Sequence, residues 1–295
     1  MSRSYLFVPG DSERKLSKAC NGDADALILD LEDAVAGPRK ESARRLVAEF
    51  LNEPSRCDCW VRINALDSGD AKLDLEAIVG AAPYGIVLPK PRGAEDIVRL
   101  ADWLSELEDR SGDGRGVTRI LPIVTEHPAA LFRLHEFAGA SNRLEAMTWG
   151  AEDLSAAVGA SRCRDADGRW LPPYELARSL CLFASAAAAL PAVDTVFTDI
   201  RDTTGLAEYA QRARADGFSG MLAIHPNQIE VINEAFTPSQ REIAAAAEIV
   251  RFFDDNPTAG VTEIGGKMVD RPHLLQARRV IELAARVDAL SGKEG

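Results

Sequence analysis

Eight short apolar segments, SYLFV, ALILD, WVRIN, GIVLP, RILPIV, EAMTW, DTVFT and MLAIH, recur between Ser4 and His225, separated by longer stretches of helical composition. This rhythm constrains the fold more than any motif does. Short runs rich in Val, Ile and Leu suit strands covered on both faces, and parallel strands need a crossover helix between them. ESARRLVAEFL at 41–51 and AEDIVRLADWLSELEDR at 94–110 read as two such helices. Eight units in so short a span predict an α/β fold, a TIM (β/α)8 barrel rather than a doubly wound sheet. The predicted barrel domain is 1–228. Residues 229–295 read as a C-terminal helical extension, a lid or a subunit contact, because so short a tail would bury only a small core of its own.

Composition narrows the function classes. The formal net charge is −12, which argues against nucleic acid or an anionic membrane as a general partner. No apolar run approaches the ~18 residues of a membrane span, and the N-terminus MSRSYLFVPGD is too short for a signal-peptide core, so a cytoplasmic protein is expected. Five cysteines without a C-x-x-C suggest neither a disulfide framework nor a zinc site. P-loop, G-x-G-x-x-G and G-x-S-x-G motifs are absent from the sequence.

Polar residues collect where the predicted strands end: Asp30, Glu32 and Asp33, then Arg62 and Asn64, Lys90, Glu126, Glu152 and Asp153, Asp199, and His225 with Asn227. In a barrel these ends open on one face, where such folds place their active sites. The stretch LILDLEDAV is the most pointed case, since three carboxylates in four positions repel one another unless something positive lies nearby. A second reading has Glu32 and Asp33 at the start of a helix beginning at Ala34.

Glu126 and Asp153 follow consecutive strands, so their carboxylates can converge on one cation at the barrel mouth. Oxygen ligands without His or Cys suit Mg²⁺, which keeps one or two protein carboxylates and fills its shell with water and substrate oxygens. Helix capping is the alternative for each acid alone. Arg62, inside its strand, can hold a carboxylate or an oxyanion, or form a salt bridge to Asp30 or Glu32. Glu32 and Asp33 would then orient Arg62 and the water around the metal. His225 is followed by proline and stays outside the catalytic set, and Cys20 and Cys181 read as core residues of helices.

Taken in order, RSYLFVPGDSERKLSKA, LDLEDAV, VRIN, VLPK, VTEHPAAL, WGAEDL, DTVFTDIRD, IHPNQI and GGKMVDRPHLLQAR resemble the citrate lyase β-subunit-like proteins of the HpcH/HpaI aldolase and citrate lyase group, over nearly the whole chain. The resemblance implies a Mg²⁺-dependent carbon–carbon lyase acting on a malyl-, citramalyl- or citryl-thioester, with acetyl-CoA and a 2-oxo acid as products. It makes Glu126 and Asp153 the metal ligands and Arg62 the oxyanion-stabilising group. It makes Asp270 an acid or base, delivered to a neighbouring subunit's site within a trimer or hexamer. Coenzyme A then calls for local positive charge, for which Arg14, Lys15 and Lys18 are the candidates. A β subunit acting on an acyl-carrier-protein thioester, a non-catalytic ligand-binding protein and an aldolase using free pyruvate remain alternative readings. Two departures, Met221 where relatives often carry Lys and the run VTEHPAAL, are expected to alter the pocket.

Overall fold

The computed structural model describes residues 2–111 and 117–291. It divides the chain into two compact units, one spanning Ser2–Ile232 and the other built from Asn233 onward.

The first unit is a parallel eight-stranded TIM-type barrel. In chain order its strands and helices are β1 (Ser4–Pro9), α1 (Glu13–Cys20), β2 (Ala26–Asp30), α2 (Lys40–Leu51), β3 (Asp58–Arg62), α3 (Asp70–Ile78), β4 (Gly85–Leu88), α4 (Ala94–Ser111), β5 (Arg119–Pro122), α5 (Pro128–Leu131), β6 (Met147–Thr148), α6 (Ala151–Ala157), α7 (Pro172–Ala187), β7 (Ala192–Asp194), α8 (Thr203–Asp216) and β8 (Gly220–Ala223). Hydrogen-bonded neighbours run β5-β4-β3-β2-β1-β8-β7-β6. Parallel bridges Ile120–Leu144 and Ile123–Thr148 join the two ends, with Val124 N donating to Thr148 O at 2.8 Å. Every residue of β2 and β4 is buried, as the apolar runs require. In α4, Ile97, Leu100 and Leu104 are fully buried at helical spacing, so one face packs inward while the charged face meets water.

One strand is displaced from its expected place. β7 ends at Asp194 and shares only that residue with DTVFT. The β-branched run is not what fixes this strand. Asp194 has no solvent exposure and accepts from Trp149 Nε1 at 2.7 Å, Arg178 Nη2 at 2.8 Å, Tyr209 OH at 3.1 Å and its neighbour Thr195 N at 2.8 Å. Asp194, rather than Asp199, is therefore the acid at the end of this strand. The start of a helix at Ala34 is also overturned: Asp30 itself accepts from Glu32 N at 2.9 Å and Ala34 N at 3.2 Å, tying LEDA into a loop.

The division between the units falls within α9 (Ile229–Phe236). Gln228 is built into the barrel unit, accepting from Ile224 N at 2.9 Å and donating to Phe197 O at 2.8 Å, while Ile229 and Ile232 are buried.

The second unit continues with α10 (Gln240–Asp255), a hairpin of β9 (Val261–Ile264) and β10 (Lys267–Asp270), and α11 (Arg271–Ser291). Ser239 and Glu242 cap α10 reciprocally. Gly265 and Gly266 both take positive φ, 58° and 77°, which a two-residue hairpin turn asks for and glycine supplies without strain. Phe253, Val269 and Leu274 form this unit's small apolar cluster. No helix among the described residues is long and apolar enough to cross a membrane.

Candidate active site

The carboxyl ends of the barrel strands surround a cavity of about 320 Å³, lined among others by Phe7, Arg62, Glu126, Trp149 and Asp153. The polar side chains reach it because each lies at the end of its strand or just beyond.

Arg62, the last residue of β3, stands beside Asp30, the last residue of β2. The two form a fork, Nε to Oδ1 at 2.8 Å and Nη2 to Oδ2 at 2.6 Å, and the guanidinium lies over the Phe7 ring at 4.7 Å. Its Nη1 is 3.1 Å from Glu32 Oε2, an ion pair without hydrogen-bonding angles. Burial works against the charged form of Arg62, but Asp30 and Glu32 outweigh it and raise its pKa above the ordinary value. Arg62 is thus at once in a salt bridge and at the cavity wall, a combination the sequence reading allows.

Lys90 lies two residues past β4, with a left-handed φ of 53° that is uncommon for any residue but glycine. Its Nζ reaches Glu32 Oε1 at 2.6 Å, Asp153 Oδ1 at 3.2 Å and Asp33 Oδ2 at 3.3 Å, and its backbone N–H donates to Glu126 Oε2 at 2.8 Å. Burial opposes the ammonium here too, but the hydrogen bond and charge of Glu32 prevail and raise its pKa. The sequence reading placed Lys90 among the strand-end polar residues and left it out of the site. The acids of LILDLEDAV pointed to it, since three carboxylates ask for more than one cation.

Glu126 follows β5 and is buried, and burial first, then the charges of Asp153 and Glu32, push its pKa well above the usual carboxylate value. It caps no helix: His127 precedes α5, its Nδ1 accepting from Ala129 N at 3.2 Å. Asp153 sits inside the first turn of α6 rather than ahead of it. Glu32 is raised by burial in spite of Arg62 and Lys90.

Asp30, Glu32, Asp33, Glu126 and Asp153 thus face two cations, Arg62 and Lys90, a surplus of three negative charges if all five acids ionise. A raised proton affinity at Glu126 and an excess of oxygen donors are what a divalent cation would relieve. No three His, Cys, Asp or Glu side chains among the described residues gather closely enough to hold a metal unaided. The residues fit a cation held by Glu126 and Asp153 with water and substrate completing its shell, the habit of Mg²⁺.

Other expected residues lie apart. Arg14, Lys15 and Lys18 are exposed on α1 and do not line the cavity. Asp270 ends β10 in the second unit, where its Oδ1 meets His273 Nδ1. Met221 does not alter the cavity wall: it is fully buried within β8, while the next residue, Leu222, faces the cavity. Successive strand residues point to opposite faces, which explains the difference. His225 caps the turn at Pro226–Gln228 through Nδ1, which accepts from Asn227 N at 3.2 Å.

The family model described as HpcH/HpaI aldolase/citrate lyase matches residues 3–226. Citrate lyase subunit beta of Haemophilus influenzae is 34% identical over 290 residues, covering 96% of this chain and 97% of the relative. The mitochondrial citramalyl-CoA lyase of Rattus norvegicus is 32% identical over 304 residues, covering 97% and 86% respectively. Among solved structures, CitE from Mycobacterium tuberculosis in complex with magnesium, acetoacetate and coenzyme A superposes with a TM-score of 0.78 at 33% identity, covering 96% of this chain and 98% of that one.

Proposed function

The chain belongs to the HpcH/HpaI aldolase/citrate lyase family, and from that premise we propose that it is a Mg²⁺-dependent lyase that cleaves, or in reverse forms, a carbon–carbon bond in a 3-hydroxy-carboxyacyl thioester. Malyl-CoA, citramalyl-CoA and citryl-CoA are the candidate substrates, each yielding acetyl-CoA and a 2-oxo acid. The observation that carries this reading is the meeting of Glu126, Asp153 and Arg62 around one cavity at the strand ends.

Glu126 and Asp153 would hold Mg²⁺, which when bound supplies a Lewis acid for the substrate's hydroxyl and carboxylate oxygens. Arg62 has five N–H donors, of which Nε and Nη2 each commit one to Asp30. The fork sets the plane of the guanidinium before substrate arrives, and donors not spent on Asp30 can hold charge that develops on a substrate oxygen. Phe7, Ile123, Trp149 and Leu222 give the cavity apolar wall that keeps water away from the reacting carbon. As the substrate hydroxyl loses its proton to solvent and its oxygen becomes the keto oxygen of the 2-oxo acid, the breaking carbon–carbon bond leaves its electron pair on the thioester fragment as an enolate, which then takes a proton. We assign that proton to Asp270 of a neighbouring copy of the chain, a role that rests on the family resemblance. Arg14, Lys15 and Lys18, exposed on α1, are assigned to the anionic end of coenzyme A.

The test is a cleavage assay on malyl-CoA, citramalyl-CoA and citryl-CoA, following release of glyoxylate, pyruvate or oxaloacetate. Cleavage of one, stopped by EDTA and restored by Mg²⁺, is expected and names the acyl group. Failure on all three, with cleavage of a citryl thioester on an acyl carrier protein, would instead favour a subunit of a larger lyase, as the name of the Haemophilus relative suggests.

A further inference from the structure

Lys90 touches three acids of the site through its ammonium and a fourth through its backbone: Nζ reaches Glu32, Asp33 and Asp153, and the N–H holds Glu126. Its backbone is held at φ 53°, in the left-handed region, and such strain persists only where the surroundings over-determine it. Here Glu126 Oε2 fixes the N–H and Glu32 Oε1 fixes the ammonium, one at each end of the residue. The three ammonium contacts are unequal. The bond to Glu32 is 2.6 Å, whereas Asp153 and Asp33 lie at 3.2 Å and 3.3 Å.

We infer that Lys90 is the resident counter-ion of the metal site, a positioning residue that occupies Asp153 Oδ1 until a divalent cation displaces it and that stays anchored on Glu32 afterwards. The inference rests on the reading of Glu126 and Asp153 as metal ligands and goes beyond it. An ammonium and a divalent cation on one carboxylate oxygen repel each other, and lysine's flexible four-carbon stem lets Nζ leave the longer contact while keeping the shorter. Lys90 thereby lowers the affinity for the cation and keeps the acids from repelling one another in its absence. It also holds Glu32 in place beside Arg62 Nη1.

The test measures Mn²⁺ binding to the full chain by electron paramagnetic resonance or calorimetry, alongside turnover. Lys90→Met keeps the backbone N–H on Glu126 and the left-handed backbone cost, and removes only the ammonium. It is expected to bind Mn²⁺ about tenfold more tightly, the size expected when one positive charge a few ångströms away is removed in a water-like dielectric, while kcat at saturating metal falls. Lys90→Gln, neutral but still able to donate to Glu32, is the second variant and is expected to tighten binding in the same direction. Unchanged or weaker Mn²⁺ binding in a folded Lys90→Met or Lys90→Gln protein overturns the inference. Asp153→Asn separates the two claims. Loss of Mn²⁺ binding there, with Lys90→Met unchanged from the parent, sinks only the counter-ion role; full Mn²⁺ binding by Asp153→Asn sinks the ligand assignment and the inference with it.

Discussion

Gly150 lies two residues past β6 and against Glu126, and the substitution Gly150→Ala tests the candidate metal site without touching a charged group. The backbone there has φ −125° and ψ 123°, so alanine meets no conformational penalty. Space is the difficulty: an added Cβ would stand 2.8 Å from Glu126 Cγ, 2.9 Å from Oε1 and 3.3 Å from Cδ. Carbon atoms pack at about 3.5–4.0 Å, so the Glu126 side chain must shift by about 0.7 Å or more. It cannot retreat freely, because Oε2 is tied to Lys90 N–H at 2.8 Å. The stability cost is that of one extra methyl in a packed site, about 1–3 kcal/mol. The larger effect falls on the cation, since Mg²⁺ demands near-ideal geometry at about 2.0–2.1 Å from its ligands. Disturbing a ligand's support typically costs about 10- to 100-fold in metal affinity, and that range is expected here. The assay is a Mg²⁺ titration of turnover, with Mn²⁺ binding as a second readout and thermal unfolding as the control. A Gly150→Ala protein that melts a few degrees lower yet binds metal like the parent would refute the assignment of Glu126.

Two further outcomes follow from the same geometry. Asp194→Ala leaves the Arg178 guanidinium, 3% exposed at its side chain, with only Asp216 at 2.7 Å, and strips Trp149 Nε1 of its acceptor. The expected loss, measured by urea unfolding, is about 3–5 kcal/mol, and a loss below about 1 kcal/mol would contradict the buried pairing. At the opposite end of β3 from Arg62, the Cys57 thiol is lowered to about 7, first by a hydrogen bond from Cys59, with burial opposing. As pH rises through that value Cys57 becomes thiolate, so iodoacetamide should label it ahead of the other cysteines near neutral pH. Peptide mapping that finds Cys57 no faster than Cys20 would remove the hydrogen bond from the explanation.

What could be read from the sequence was what depends on strand order and strand ends. Glu126 and Asp153 were legible as a pair because β5 and β6 are consecutive, and barrel neighbours bring consecutive strand ends together. The place of β7 was not legible, because a strand of three residues is fixed by a buried acid and the four residues that donate to it rather than by the β-branched run beside it. Met221 was misread for a related reason: the motif located the residue, but only the register of β8 decides which of Met221 and Leu222 faces the cavity. The role of Lys90 depends on a left-handed backbone that a lysine after a proline does not advertise.

The three acids of LILDLEDAV have separate tasks, which is why a strand can end in all of them. Asp30 is committed to Arg62 by two hydrogen bonds and to the loop by two backbone N–H groups, so its charge is balanced and its position fixed. Glu32 lies between Arg62 Nη1 and Lys90 Nζ, joining the two cations of the site. Lys40 holds the carbonyl oxygens of Leu31 and Glu32 at 3.0 Å and 3.3 Å, which keeps the loop from relaxing away from the acids' mutual repulsion. Asp33, exposed, meets the same ammonium from the solvent side. With Asp30 neutralised by Arg62, the charge left for Lys90 to balance is that of Glu32, Asp33, Glu126 and Asp153. One ammonium cannot do this alone: of these four only Glu32 has a second cationic side chain against it, Arg62, and of the other three Glu126 and Asp153 are the two that line the cavity and are assigned to the divalent cation.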